Sequence, residues 1–422
     1  MPNKTFDPYD FSKKVIDGVP VYYKNFPVAP CIHIKVCFNV GSVNDPENIV
    51  GVSHFLEHMI FDGSPTLPTK KDINEWSKVY TLNTWNAWTS QNNTNYHLKC
   101  LPENFDAVLD GMKDMIFNPI LRDEDIEHER NVITQEAWGR YKNEKFLAYC
   151  KESLKNTFHG TAIAKTYSPL GWPETVAKIS RTDVYNWHKE NYVKGNFIIV
   201  LSGAVEDKHL NKIKTFLKDL PEAKVKKVEF GKLKKPIKIE VTKTADEIGD
   251  PREQVDITFE RVAMIDTDTK EEVHQLTSSV LYDLLFERIR TERALCYGVS
   301  AVTYVMKEVK GWHVNIKAKE ENIELIKIEF WKALDDIYKG KEKSRFETLK
   351  KVELDKIRST EETTSTASND ALYSVNKFGK IVTKNKSISE MKKVEYKDVV
   401  VCLKEGFKKD WTVTEVILPS KK

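Results

Sequence analysis

Two stretches of this chain run through the same order of elements about half its length apart. Asn95-Tyr96-His97-Leu98-Lys99-Cys100 leads to Glu103-Asn104 and then to a helical pattern ending near Met115-Ile116. Gly311-Trp312-His313-Val314-Asn315-Ile316 leads to Glu321-Asn322 and a helix ending near Asp335-Asp336-Ile337, an offset of 216 to 218 residues. The closing segments rhyme as well. ISRTDVYNWHKENYVKGNFIIVLSG and MKKVEYKDVVVCLKEGFKKDWTVTEVILPS each read as a helix, a basic turn and a terminal strand. Any chain that alternates strands and helices shows some such likeness, but a shared order at one offset favours duplication. The expected fold class is α+β: two similar units, each a mostly antiparallel sheet covered by helices. The expected division is 1–220, a linker at 221–240 and a second unit at 241–422. Lysines and two prolines crowd KDLPEAKVKKVEFGKLKKPIK at that join, as in a solvated connection.

Within the first unit, Val19–Tyr23 and Cys31–Val40 read as strands and Gly51–Phe61 as a helix. Asn86–Leu101 reads as a strand region. Helices follow near Asn104–Met115 and Asp123–Asn143, and Arg181–Asn191 leads into a buried strand, Phe197–Gly203. At 422 residues, with 40% hydrophobic and 31% charged, the chain has ample material for real cores. Lys+Arg 66 against Asp+Glu 63 leaves a net charge of only +3, with the signs interspersed, which argues against a nucleic-acid partner. No apolar run approaches the ~20 residues of a membrane span, so no membrane partner is expected. The first ten residues, MPNKTFDPYD, lack an apolar signal core and carry Asp7 and Asp10, unlike a transit peptide; the cytoplasm is the expected location. The six cysteines form no C-x-x-C pair and read as reduced core thiols.

The sharpest chemical signal is His54-Phe55-Leu56-Glu57-His58. On a helix, residues i and i+4 share one face, so two imidazoles at this spacing can hold one zinc ion. Glu57 falls on the same stripe, while Val52, Phe55, Leu56, Met59 and Ile60 are left for packing. The alternative is two hydrogen-bonded histidines and a surface glutamate. A catalytic zinc needs three protein ligands and an open position. Glu129 and Glu136, two helical turns apart in Glu129-Arg130-Asn131-Val132-Ile133-Thr134-Gln135-Glu136, offer a downstream carboxylate. Carboxylates on a stripe shared with Val132 and Ile133 need a cation or hydrogen-bond donors. An exposed helix with ion pairs is the plainer alternative.

The reversed His-x-x-Glu-His motif, followed by Glu-Arg-x-Val-Ile-x-x-Glu, resembles the pitrilysin-like inverted-zincin metallopeptidases, a group that includes insulin-degrading enzyme and mitochondrial processing peptidase. The resemblance spans essentially the whole chain and implies their fold of two homologous units. It implies His54, His58 and Glu136 as ligands of one Zn²⁺ per chain, Glu57 as general base and Glu129 as a carboxylate supporting the site. A second match is Asn86-Ala87-Trp88-Thr89. In relatives this segment opens an edge strand that pairs with an extended substrate, which implies Asn86 and Ala87 as substrate-binding. Leu82-Asn83-Thr84-Trp85 stands where relatives carry a glycine-rich lead-in. A third match is Arg290 and Tyr297, seven apart between a helix and a strand, implied to contact the substrate carbonyl and stabilise the oxyanion. Ala294 stands where relatives often have glycine.

The resemblance thus implies a zinc metalloendopeptidase cutting unfolded peptides, held as an added strand in an enclosed chamber. A specific precursor-processing role is the runner-up. The second unit has no such zinc motif; Glu272-Val273-His274-Gln275 carries a lone, structural histidine. Since the zinc set and the Arg290/Tyr297 pair share one chain, the resemblance implies a homodimer whose sites join the first unit of one subunit to the second unit of its mate. The rival from another class is a non-catalytic or partner-dependent subunit of a heterodimeric processing protease. The zinc reading requires the Glu136 carboxyl to approach both imidazoles closely.

Overall fold

The computed structural model describes residues 7–226, 228–265, 270–306, 308–360 and 363–421. They form two units. The first takes Met1–Arg140, Thr166–Glu229 and Glu361–Lys384; the second takes Tyr141–Lys165, Phe230–Thr360 and Asn385–Lys422.

Alternation of side chains builds the first sheet. Its strands are β1 (Ser12–Ile16), β2 (Val19–Asn25), β3 (Ile32–Phe38), β4 (Asn86–Thr89), β5 (Thr94–Cys100) and β6 (Phe197–Gly203). They lie in the order β1-β2-β6-β3-β5-β4. β2 and β6 pair in parallel and the other neighbours are antiparallel. In β3, Ile32, Ile34, Val36 and Phe38 enter the main core with the helices. His33, Lys35 and Cys37 point the other way and are buried too. Helix Thr364–Phe378 covers them: Lys35 donates to Asn369 Oδ1, and Ser202 Oγ to the Thr364 carbonyl at 2.7 Å. The strand region expected at Asn86–Leu101 is a hairpin, turned where Ser90 N donates to Asn93 O at 2.8 Å.

The second sheet comprises β7 (Glu240–Thr244), β8 (Val255–Met264), β9 (Cys296–Met306), β10 (Val309–Ala318) and β11 (Val413–Leu418). Its order, β7-β11-β8-β10-β9, traces the same path as β2-β6-β3-β5-β4 in the first. Here too the first strand pairs in parallel with the last. The α+β expectation of two like units therefore holds. Phe259 and Phe330 stack at 3.8 Å in its core, with Trp312, Leu284 and Leu403 around them.

The expected division at 221–240 ends on the first residue of β7, and before it the described residues hold no helix or strand beyond an isolated bridge of Gly231 to Thr161. Two segments cross it. Helix Glu144–Thr157 joins the second unit, where Tyr149 Oη donates to Glu415 Oε2 at 2.6 Å and Asn156 Nδ2 to the Lys238 carbonyl at 2.8 Å. Helix Thr364–Phe378 joins the first. Each sheet thus has a helix from the other half of the chain packed on it. The six cysteines are free thiols, and no helix of the described residues is long and apolar enough to cross a membrane.

Packing of the first unit's helices is tight at one glycine and open at another. Gly111, in helix Phe105–Phe117, faces the Trp76 indole, and a Cβ there would sit 2.6 Å from it. Gly139, near the end of helix Asp123–Tyr141, faces open space. Gly111→Ala is expected to destabilise by about 1–3 kcal/mol through overpacking. Gly139→Ala should instead stabilise by about 0.5 kcal/mol by lowering the entropy of the unfolded chain. Urea midpoints of the two variants check both signs.

Candidate metal centre

Helix Val52–Met59 carries His54, Glu57 and His58 into the core. Val52, Phe55, Leu56 and Met59 are fully buried around them. Asp45 fixes the start of the helix. Its carboxylate accepts from Gly51 N at 2.7 Å and Ser53 Oγ at 2.6 Å, and Trp187 Nε1 donates to the same Ser53 Oγ at 3.0 Å. Burial pushes the Asp45 carboxyl up to about 7 against those hydrogen bonds. Gly51 has φ 103°, and a Cβ there would meet Gly171 Cα at 2.8 Å, so only glycine fits this entry.

Spacing on the helix brings the two rings together, with centroids 4.6 Å apart. Helix Asp123–Tyr141 supplies the carboxylates. Arg130 ties that helix down by donating to the Val176 carbonyl at 3.0 Å, and its guanidinium lies over the Phe55 ring at 5.8 Å. Glu136 Oε2 then stands 3.9 Å from His54 Nε2 and 3.7 Å from His58 Nε2. One ligand atom from each of the three lies within 4.8 Å of the other two. These separations are too long for hydrogen bonds. They suit one ion, because tetrahedral ligands ~2 Å from zinc stand roughly 3.3 Å apart. Two imidazole nitrogens and one carboxylate oxygen are also a donor set that zinc favours, and the Glu136 side chain, 43% exposed, leaves a side open.

Electrostatics separates the groups. Burial, reinforced by His58, pushes the His54 imidazole down to about 3, so the ring is neutral at neutral pH and has one nitrogen with a lone pair to offer. Burial also pushes His58 down, but its hydrogen bond to Glu129 and the nearby Glu136 outweigh that and raise it. Glu57 lies beside the ligand set. Burial raises its carboxyl, opposed by a 2.5 Å hydrogen bond from Thr89 Oγ1 to Oε2. Glu129 accepts from His58 Nδ1 at 2.7 Å and from Lys70 Nζ at 2.9 Å. Burial alone would raise Glu129, yet those two donors hold it down at about 2.

Asn86 and Ala87 lie on β4, the edge strand of the first sheet, and Asn86 Oδ1 accepts from Ala87 N at 2.9 Å. Just before it, Leu82 (φ 54°) and Asn83 (φ 55°) hold the left-handed conformation without glycine. Arg290 and Tyr297 belong to the second unit. Arg290 is exposed, with its guanidinium 5.5 Å over the Phe286 ring, and Tyr297 is 47% exposed at the start of β9. Ala294 between them has φ 53°. His274 is buried, with Nδ1 3.7 Å from Cys402 Sγ.

The sequence reading assigns no role to Asp45, Lys70, Asp62, Arg130 or the Thr89 hydroxyl. Two of them carried a signal: Thr89 as the last residue of the Asn-Ala-x-Thr match, and Arg130 as the arginine of Glu-Arg-x-Val-Ile-x-x-Glu.

Residues 21–167 match the family described as insulinase, peptidase family M16, and residues 178–353 match its partner domain, described as the peptidase M16 inactive domain. An uncharacterized zinc protease of Rickettsia felis is 28% identical over 193 residues, 46% of this chain and 46% of that protein. The mitochondrial-processing peptidase subunit beta of Dictyostelium discoideum is 30% identical over 178 residues, 42% of this chain and 37% of its own length. The matched region therefore spans less than half of each relative. In solved structures, pitrilysin superposes with a TM-score of 0.75 at 17% identity, covering 98% of this chain and 45% of pitrilysin, a likeness of fold. With both domain matches in sequence order, and the same strand path in both sheets, the chain belongs to the pitrilysin-like M16 family of zinc peptidases.

Proposed function

We propose that this chain is a zinc endopeptidase that cuts unfolded peptides, with His54, His58 and Glu136 holding one zinc ion. The observation that carries the reading is the approach of Glu136 Oε2 to both imidazoles, at 3.7 and 3.9 Å, with Glu57 buried beside them. Zinc, when bound in such a set, supplies an acidified water and a polarised carbonyl. Glu57 is the buried carboxylate that would accept a proton from the attacking water and pass it to the leaving amine. Thr89 occupies Glu57 Oε2, which leaves Oε1 to face the reaction. Glu129 fixes the His58 ring through Nδ1, so Nε2 is the nitrogen presented to the ion.

Substrate is held as an added strand. β4 lies at the sheet edge, and main-chain pairing there accepts varied sequences while excluding folded proteins. Asn86 and Ala87 provide the first backbone contacts. Arg290 and Tyr297 of a second copy of the chain serve as oxyanion contacts, and enclosure of the peptide selects for flexibility. Because one chain carries both sets, the assembly that fits is a homodimer with paired sites. A partner-dependent subunit is the second reading, favoured by the match to a relative named as the beta subunit of a processing peptidase.

Three variants test these roles. Glu57→Gln should retain about one zinc per chain while cleavage of a quenched, unstructured peptide falls by about 10²-fold or more. Normal cleavage would remove Glu57 as the base. Glu136→Ala should lose zinc, read by metal analysis of the purified protein against the parent; undiminished metal content would strike it from the ligand set. Arg290→Ala should keep its zinc and lose about 10²-fold in kcat. Unchanged kinetics would discard the oxyanion role. Metal binding without turnover of any peptide by the parent protein would favour the partner-dependent reading.

A further inference from the structure

Glu129 is the most deeply buried carboxylate around the metal centre, with a side chain only 1% exposed. A carboxylate so placed is costly unless donors and a counter-charge reach it. His58 reaches Oε2 at 2.7 Å, and Lys70 Nζ reaches Oε1 at 2.9 Å. His128 Nε2 is more distant, 3.8 Å from Oε1, on a side chain 71% exposed. Lys70 serves a second acid as well, since its Nζ lies 3.3 Å from Oδ1 of the buried Asp62. The other Asp62 oxygen, Oδ2, is buried with no hydrogen-bond partner among the described residues. One ammonium group thus sits between two buried carboxylates.

Charge arithmetic shows why this matters. Glu57, Asp62, Glu129 and Glu136 crowd one small region, and a zinc ion offsets only two of their charges. Lys70 is the closest fixed positive charge to Glu129 and Asp62. Its backbone is also fixed. Lys70 opens helix Lys70–Tyr80, and the preceding Thr69 and Asp72 cap each other reciprocally, Asp72 N donating to Thr69 Oγ1 at 3.2 Å and Thr69 N to Asp72 Oδ2 at 3.0 Å. Without the ammonium, Glu129 would retain one close donor and face the Asp62 carboxylate unscreened. Its swing away would release the His58 ring, whose Nε2 is aimed at Glu136 by the bond at Nδ1.

We propose that Lys70 is a positioning residue for zinc binding, acting through Glu129 on His58, with Asp62 holding the ammonium in place. This rests on the zinc reading above and adds a residue to it.

The test is zinc affinity, measured on the full chain by competition with a chromogenic chelator near neutral pH, beside the melting temperature of the zinc-free protein. Lys70→Met should weaken zinc about 10–100-fold, the range seen when groups behind a ligand are removed. Lys70→Arg should recover most of that affinity, because it restores the charge and the donors. In a Glu129→Gln background, Lys70→Met should add little, since the residue through which it acts has already lost its charge. Unaltered affinity in Lys70→Met overturns the proposal. So do an Arg variant as weak as the Met variant, and losses that simply add in the double variant. If Lys70→Met melts early, the Arg variant and the double-variant comparison still decide. A parent protein that holds no zinc overturns the function proposed above and this inference together; tight zinc in the parent and in Lys70→Met alike overturns this one only.

Discussion

Placing a buried imidazole, a half-buried one and a buried carboxylate on one short helix is the constraint around which the first unit is arranged. Each such group costs about 1–3 kcal/mol if left without a partner, and a charged one more. Partners therefore have to arrive from outside the helix. Asp45 takes the amide of Gly51 just before it, Thr89 takes Glu57, and Glu129 takes His58. Glu136 stands at ion-bridging distance from both rings. These four residues come from three separate segments, Glu129 and Glu136 sharing helix Asp123–Tyr141, so the helix is fixed in rotation and depth by groups that reach it from several directions. His54 Nδ1 is the exception, buried with no partner among the described residues.

The duplicated architecture explains where this chemistry sits. In both sheets the strand path is the same, and the helix after the second strand in the path's chain order occupies the same connection: Val52–Met59 between β3 and β4, Glu271–Leu285 between β8 and β9. The first presents ligands; the second presents His274, which packs beside Cys402 and Trp312. A duplicated scaffold can keep its core while only one copy carries a metal set, because core packing and surface chemistry occupy different faces of the same elements.

Among the described residues, three of the six non-glycine positions with left-handed backbone lie beside the segments proposed for substrate roles. Leu82 and Asn83 precede β4, and Ala294 lies between Arg290 and Tyr297. A residue with a side chain in this region costs on the order of 1 kcal/mol relative to glycine, and the surrounding structure must compensate. Trp85 shows how. It sits between Phe61 at 5.2 Å and Tyr96 at 6.0 Å, with Trp76 edge-on at 6.1 Å, and anchors the chain just after the strained pair. The loop holds its path through aromatic packing.

Much of this was written locally in the amino-acid order. Alternation in Ile32–Phe38 determined a strand with two different buried faces, and apolar residues around His54 and His58 determined an inward helix with both imidazoles on one side. The i, i+4 pair and the downstream glutamates are legible because helical geometry relates neighbours by a fixed period. Tertiary structure alone decided which distant groups complete them: Thr89 on Glu57, Lys70 between Asp62 and Glu129, Asp45 under the helix, and the exchange of helices Glu144–Thr157 and Thr364–Phe378 between units. No periodicity records those pairings, because they join residues whose separation along the chain is set by loops and not by any repeating backbone geometry.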